Sequence, residues 1–504
     1  MKKNLLISLI SGLLIAISLP KFYIPFVFLI GFFFFIKLIV ENNTKKAFFY
    51  STLIGFFFSL ASFYWINYSV VYYGNVSIFV AIPLFILFSL AFSVFQFGFS
   101  GLATKILINR YKLEAVFFLP FIWLLLEITR EFLPFGGFPW NLSGYMISYI
   151  NSLAQITSIT SIYGLSFLVL FFSVSIFYFF YKKNFVSFLI TIFCIFLVAV
   201  LFIYGNYRIN NYQYTGKQIK VSIVQGNIPE DMKMSLEGKP EIIKKYTNLI
   251  QKAYKQNKPD LIVLPESALP FPPLARNDKL KETFFKNIRN VKSPMIIGFD
   301  NYFTRGDKLY LYNSMFLFDE HHRIRNYYNK IKLVPFGEYV PFPFKVFASL
   351  FPYLEGYDFI RGKYMKLLIY KNIRILPLIC FEGIFPNFVA SDSKKRPNLI
   401  VNITNDAWFK KTSAPYQHFE MVRIRAIETG TFLVRAANTG ISAFISPTGK
   451  IIKSLGLFEE GFITAKIHLQ NKETFFEKYR IQMFYFMLLI FLSFLLYFEW
   501  KYKH

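Results

Sequence analysis

Leu-Ile-Val-Leu-Pro-Glu-Ser, residues 261–267, is a four-residue apolar run closed by a proline and then a carboxylate. Its length and residue types are those of a buried strand, and the acid falls where that strand would end. A carboxylate at the end of a buried strand is costly unless it is paired or used. Two distant segments share this frame. Leu-Pro-Leu-Ile-Cys-Phe-Glu (376–382) offers a thiol, and Tyr-Tyr-Asn-Lys (327–330) offers an ammonium. Together Glu266, Lys330 and Cys380 are a base, an oxyanion stabiliser and a nucleophile, the set that acyl transfer requires. Each has a plainer reading alone: Cys380 as a small buried hydrophobe, Glu266 as a helix cap or surface acid. Lys332 competes with Lys330, because alternation would put both on one side of a strand.

Around these segments, short β-branched runs alternate with polar helical stretches. Lys220–Gln225, Leu261–Leu264, Pro294–Phe299, Tyr312–Phe318, Ile373–Ile379, Leu399–Thr404 and Thr431–Ala437 read as strands. Pro240–Gln256 reads as a helix, with Ile242, Ile243, Tyr246, Leu249 and Ile250 on one face. This alternation, over about 270 residues, predicts an α/β or layered domain around a buried sheet.

The rest of the chain is of another kind. Of 504 residues, 55% are hydrophobic and only 17% charged, too apolar for an ordinary soluble protein. A membrane span needs about 20 mainly apolar residues. Seven such runs lie near 4–20, 24–40, 47–68, 77–104, 113–129, 151–180 and 185–205, and an eighth near 482–499. The first follows Met1-Lys2-Lys3 and lacks a small-x-small cleavage site, so it reads as a retained helix rather than a leader. The expected architecture is a polytopic helical membrane domain of about eight spans (1–206 and 481–504) with an extracytoplasmic domain at 207–480. Of 14 Lys and Arg outside 207–480, 12 fall on alternate joints and only Lys21 and Arg130 on the others. The positive-inside rule then places both termini in the cytoplasm and 207–480 outside. Glu127 and Arg130 lie near the outer end of the fifth run, at a spacing that allows a mutual ion pair.

The net charge of +27 suits anionic headgroups, and equally a lysine-rich proteome. No motif or basic run suggests nucleic acid, and nothing suggests a metal or an organic cofactor. There are two cysteines. Cys194 lies inside a span and reads as packing, whereas Cys380 has no disulfide partner in its own domain.

The motifs are recognisable. Val-Gln-Gly-Asn-Ile-Pro (224–229), Leu-Pro-Glu-Ser (264–267), Tyr-Asn-Lys-Ile-Lys-Leu-Val-Pro-Phe-Gly-Glu-Tyr-Val-Pro (328–341), Cys-Phe-Glu (380–382), Asn-Asp-Ala-Trp-Phe (405–409), Arg-Ala-Ile-Glu (425–428) and Arg-Ala-Ala-Asn-Thr-Gly (435–440) occur in that order. From about 218 to 467 the chain resembles the nitrilase, or carbon–nitrogen hydrolase, superfamily. Across its length, with Gly137-Phe-Pro-Trp140 in the membrane part, it resembles the apolipoprotein N-acyltransferase family. One departure is Lys233-Met234, where an aromatic would be expected after the lysine.

The resemblance implies an αββα sandwich and a triad of Glu266, Lys330 and Cys380. Glu338 would support it as a second acid, with Phe381 and Glu382 beside the thiol. It implies that an acyl chain passes from a glycerophospholipid, through a thioester, to the α-amino group of a diacylated apolipoprotein. The setting would be the bacterial inner membrane, with catalysis on the periplasmic side. The aromatics of 340–359, among them Phe342, Phe344 and Phe347, would line or gate lipid access. Two rivals remain: a membrane-anchored amidase that lets water into the same triad, and a non-catalytic scaffold or transporter with a nitrilase-like module.

The charge alternation yields a direct test. Reporter fusions at Lys183 and Asn210 should report opposite sides of the membrane; the same side for both would mean that the spans are miscounted.

Overall fold

The computed structural model describes residues 1–74, 76–305, 308–342, 344–345, 359–393 and 395–503. It divides into two compact units. One comprises Met1–Asn211, Tyr416–Ile424 and Lys478–His504; the other comprises Tyr212–Pro415 and Arg425–Glu477.

The first unit is helical. Among the described residues, five helices are long and apolar enough to cross a membrane: Thr44–Tyr72, Ile78–Tyr111, Thr157–Lys182, Phe185–Asn210 and Phe475–Lys503. The apolar runs at 4–20, 24–40 and 113–129 also form helices, Lys2–Ile17, Val27–Glu41 and Leu119–Thr129, of 16, 15 and 11 residues. At about 1.5 Å per residue these are short for a hydrocarbon core of about 30 Å. The apolar runs include residues that the chain spends on turns, such as Ser18-Leu19-Pro20, so these three helices are shorter than the runs that announce them. The run at 151–180 is also divided, into Asn151–Ala154 and Thr157–Lys182, with Ser161 non-helical.

Small residues let these helices approach closely, as packing in lipid favours. A Cβ on Gly205 would sit 1.8 Å from the Ser152 carbonyl oxygen. Charges inside the unit find partners. Glu127 accepts from the Ser143 amide (2.7 Å) and the Trp123 indole (3.0 Å). Arg130 donates to Gln96 and to the carbonyls of Phe138 and Trp140, and lies over the Phe92 ring. The mutual pair that their spacing allows is thus replaced by separate partners.

The segment Tyr416–Ile424, which the sequence reading did not assign to this unit, belongs to the helix Ala414–Thr429. Its Gln417 carbonyl oxygen accepts from the indoles of Trp65 (3.2 Å) and Trp140 (2.8 Å). Its Glu420 and Arg423 pair at 2.7 Å, and both bond to Ser148.

The second unit holds two six-stranded sheets. Its strands are β1 (Gln218–Gln225), β2 (Leu261–Val263), β3 (Met295–Arg305), β4 (Lys308–Phe318), β5 (Ile324–Asn329) and β6 (Leu368–Tyr370). They continue as β7 (Ile373–Ile379), β8 (Leu399–Thr404), β9 (Leu433–Ala437), β10 (Ser442–Ile445), β11 (Ile451–Leu455) and β12 (Gly461–His468). One sheet runs β12-β1-β2-β3-β4-β5, the other β11-β10-β9-β8-β7-β6. Each has three parallel strands in succession (β1-β2-β3 and β7-β8-β9) and antiparallel flanks. The parallel strands are buried on both sides, as β2 and β8 are throughout, which is why they read as unbroken apolar runs. The helix Gly238–Asn257 lays Ile242, Ile243, Tyr246 and Ile250 on the first sheet, and Phe284 of Lys279–Asn287 joins them.

This is the nitrilase-like two-sheet α/β fold that the sequence predicts. The seven strand segments read from sequence are all present, with β3 and β4 longer than expected because they pair into an extended hairpin. The sequence reading missed β6, β10, β11 and β12, and caught of β5 only the segment from Tyr327. Of these, β11 is largely exposed and β12 mixed, so neither carries an apolar run.

The close approach at Gly205 can be measured. Gly205→Ala should destabilise the helical unit by about 1–3 kcal/mol, as overpacking does, seen as a lower thermal midpoint of the purified protein. An unchanged midpoint would mean that the helices do not meet there.

Candidate active site

Strand ends deliver the reactive groups. Glu266 follows β2 by three residues, Lys330 follows β5 at once, Cys380 follows β7 at once, and Asn405 follows β8 at once. Ligand sites in α/β sheets commonly form beyond the carboxyl ends of parallel strands, where the chain leaves the ladder and its polar groups become available. Cys380 and Ser267 both adopt left-handed backbone, at φ 49° and 47°. Such geometry is unfavourable for residues with a Cβ and is typical of functional turns.

The structure brings Glu266, Lys330, Glu338 and Cys380 together. Lys330 is 1% exposed, and its Nζ lies 2.8 Å from Glu338 Oε1 and 3.4 Å from Glu266 Oε1. Burial alone would lower the pKa of this amine, but the charges of Glu338, Glu266 and Cys380 outweigh it and hold the group well above its ordinary value. Its surroundings thus favour the charged form. Lys332 is different: its ammonium sits 4.6 Å from the Phe385 ring centroid. The two lysines part because β5 stops at Asn329, so strand alternation no longer applies.

Glu266 is held on both oxygens. Oε1 accepts from Asn313 Nδ2 (2.6 Å) as well as Lys330, and Oε2 from the Asn405 amide (2.7 Å). Glu338 takes the same Asn313 nitrogen (2.9 Å) on Oε1 and the Val334 amide (2.7 Å) on Oε2. The turn carrying Asn405 is itself tied down. Its side chain donates to Glu230 (2.9 Å) and accepts from Asn438 (3.0 Å), and Asn438 also bonds the Ile228 backbone. Three of the sequence motifs are thus joined by asparagine side chains.

Cys380 keeps some exposed surface. Burial nevertheless pushes its thiol well above the ordinary range, and the Glu266 charge adds to this; Lys330 and a hydrogen bond with Thr404 pull it back only in part. The positive field of Lys330 is present, but burial and Glu266 outweigh it. Thr404 in turn donates to Asp406 (3.0 Å), which pairs with fully buried Arg435 at 2.8 Å.

Glu382 is fully buried. Its Oε1 accepts from Tyr328 Oη (2.6 Å) and the amides of Ile331 (2.7 Å) and Lys332 (3.2 Å), and its Oε2 from the Ile379 amide (2.8 Å). Burial pushes its carboxyl up to about 7 against these four donors. It staples the Lys330 segment to the Cys380 turn. Phe381 is 5% exposed and packs edge-on to Phe385.

Of the residues expected to admit lipid, Phe342 and Phe344 are exposed, and Phe344 touches Phe336. Phe347 lies outside the described residues, as do Phe351, Tyr353 and Tyr357. Sequence reasoning missed Asn313 and the backbone amide of Asn405. For Asn313 a signal existed, because asparagine is disfavoured in strands and here begins a strand-like run. No groups of His, Cys, Asp or Glu among the described residues could hold a metal.

The thiol's environment fixes a pH dependence. In a Cys194→Ala background, alkylation of Cys380 by a small soluble reagent should be slower at pH 7 than that of a free thiol. It should still be rising at pH 9, since the thiolate forms only above the ordinary range. A rate that levels off below pH 8 would contradict the environment described.

Two family models match the chain. One describes the carbon–nitrogen hydrolases and covers residues 220–474. The other describes the apolipoprotein N-acyltransferase N-terminal domain and covers residues 11–175. The apolipoprotein N-acyltransferase of Aquifex aeolicus is 35% identical over 461 residues, spanning 92% of this chain and 98% of that protein. That of Rickettsia prowazekii is 35% identical over 470 residues, spanning 92% and 91%. A branch-10 nitrilase-superfamily crystal structure from Saccharomyces cerevisiae aligns with 50% of this chain and 90% of its own, at 18% identity and a TM-score of 0.39. With both halves matched in order and identity sustained over nearly the whole length, this chain belongs to the apolipoprotein N-acyltransferase family.

Proposed function

We propose that this enzyme transfers an acyl chain from a glycerophospholipid to the α-amino group of a diacylglyceryl-cysteine lipoprotein, through a thioester on Cys380. One observation carries the reading. Glu266, Lys330 and Cys380 converge behind β2, β5 and β7, in a chain that is otherwise membrane-type helix and belongs to a family named for that transfer.

The chemistry follows from the environment of each group. The resting thiol is protonated, so its proton passes to Glu266 as Sγ attacks the ester carbonyl. The Lys330 ammonium, whose surroundings favour the charged form, holds the oxyanion. The carbon–oxygen bond then breaks, Glu266 returns its proton to the departing alkoxide, and lysophospholipid leaves. In the second half, the acceptor amine attacks the thioester and loses a proton to Glu266, and the sulfur leaves and regains a proton. Glu338 supports Lys330, and Glu382 with Phe381 sets the turn that presents the thiol.

The alternation of basic joints supports cytoplasmic termini. It supports a division into 1–206, 207–480 and 481–504, with 207–480 on the outer face of the inner membrane. Lipid as donor is supported by the number of apolar helices, since an amidase would need only one as a tether. A phospholipid drawn wholly into water would expose its chains at about 0.8 kcal/mol per CH₂. Lipid should therefore reach Cys380 from the bilayer rather than through water.

The test is a two-step reaction read by mass. Incubation with phospholipid alone should leave an acyl adduct on Cys380, and adding a diacylated lipopeptide should move that acyl group to its amine. Cys380→Ala should show neither step. Without any adduct the thioester reading falls; release of acid from an amide without lipid would establish the amidase instead.

A further inference from the structure

Asn313 sits in β4, 4% exposed. Its Nδ2 reaches Glu266 Oε1 at 2.6 Å and Glu338 Oε1 at 2.9 Å. An ionised carboxylate only accepts hydrogen bonds, so this end of the amide is its NH₂ group, with both protons directed to carboxylates. The same two oxygens flank the Lys330 ammonium, and the backbone carbonyl of Asn313 accepts from the Lys330 backbone amide (2.9 Å). Asn313 thus touches both acids with its side chain and the lysine segment with its backbone.

Two carboxylates within reach of one nitrogen repel each other. One ammonium between them leaves an excess negative charge, and such pairs relieve it by sharing a proton. A base that already holds a proton cannot take another from a thiol. Neutral N–H donors oppose that sharing, because they bond more strongly to the ionised form than to the protonated one. Asn313 supplies one to each acid and adds no charge. Its own Oδ1 is buried with no hydrogen-bond partner. That is a cost which a residue kept for packing alone would avoid.

We propose that Asn313 is a positioning residue for proton transfer from Cys380: by donating to Glu266 and Glu338 at once, it keeps both ionised beside Lys330, so that Glu266 is vacant when the thiol must give up its proton. The proposal rests on the acyl-transfer reading above. In the step concerned, the S–H bond of Cys380 breaks as an O–H bond forms on Glu266, and Sγ bonds to the ester carbon. Asn313 touches neither the thiol's proton nor the ester.

The test uses the full-length enzyme with Asn313→Leu, which removes both donors, Asn313→Asp, which adds a third acid, and Asn313→Ser as a milder change should the others fold poorly. Acyl-enzyme formation from phospholipid is followed over pH 5 to 9 in single turnover. The acid limb of the rate profile should move to higher pH by about one unit or more, as expected when a charge-stabilising partner is lost. The largest move should come with Asn313→Asp, and the KM for phospholipid should stay unchanged. A uniform fall in rate with the limb unmoved would mean that Asn313 is only structural and would overturn the proposal, as would a wild-type profile in all three variants. If the wild type itself forms no adduct, it is the parent reading that fails. Alkylation of Cys380 by a small soluble reagent, which follows the thiolate, is then read instead: a protonated Glu266 no longer opposes that thiolate, so Asn313→Leu should react faster than the wild type near neutral pH, and an unchanged rate refutes the positioning role.

Discussion

A single ammonium taken out of water sets the terms for the catalytic unit. Burying a charge costs several kcal/mol unless it is paired with good geometry. Lys330 meets that demand with two carboxylates, Glu266 and Glu338. Two acids around one base then need further donors, and these arrive from separate places: the Asn313 side chain on β4, the Val334 amide in the loop after β5, and the Asn405 amide at the end of β8. The site therefore depends on both sheets holding their strand ends in register. Losing one partner leaves a charge uncompensated, a change of about 3–5 kcal/mol in comparable buried pairs.

The same concentration of charge explains the thiol. A thiol placed beside an acid in dry surroundings is held towards its protonated form, and in the mechanism proposed above it stays so until an electrophile arrives and the proton can move to Glu266. An enzyme whose substrate sits in a membrane gains from this restraint, since a standing thiolate would react with oxidants and stray electrophiles. Lys330 only partly offsets that burial; in the mechanism proposed above, its charge serves the oxygen of the tetrahedral intermediate.

Much of this was legible in the sequence, and physics explains which part. Strands β2, β7 and β8 announce themselves because a strand buried on both faces must be apolar throughout, and the polar residue that ends such a run stands out. Glu266 and Cys380 were visible for that reason. The choice of Lys330 over Lys332 was not visible from spacing, because it turns on where β5 ends. Asn313 and the Asn405 amide were missed because their importance lies in what they donate to, across sheets and across nearly 140 positions in the case of Asn405 and Glu266. In the helical unit, apolar runs showed where helices lie but overstated their length, since turns in lipid-facing proteins are apolar too. The exposed strands β11 and β12 carry no pattern, because solvent does not select for one.

The helix Ala414–Thr429 bears on how such a protein could be recombined. Nine of its residues, Tyr416–Ile424, complete the helical unit, while its two ends belong to the sheet-bearing one. No cut in the chain therefore releases either unit whole. A chimaera that exchanged residues 212–477 for those of a relative would import a foreign plug, and the indoles of Trp65 and Trp140 would lose the carbonyl oxygen that Gln417 gives them.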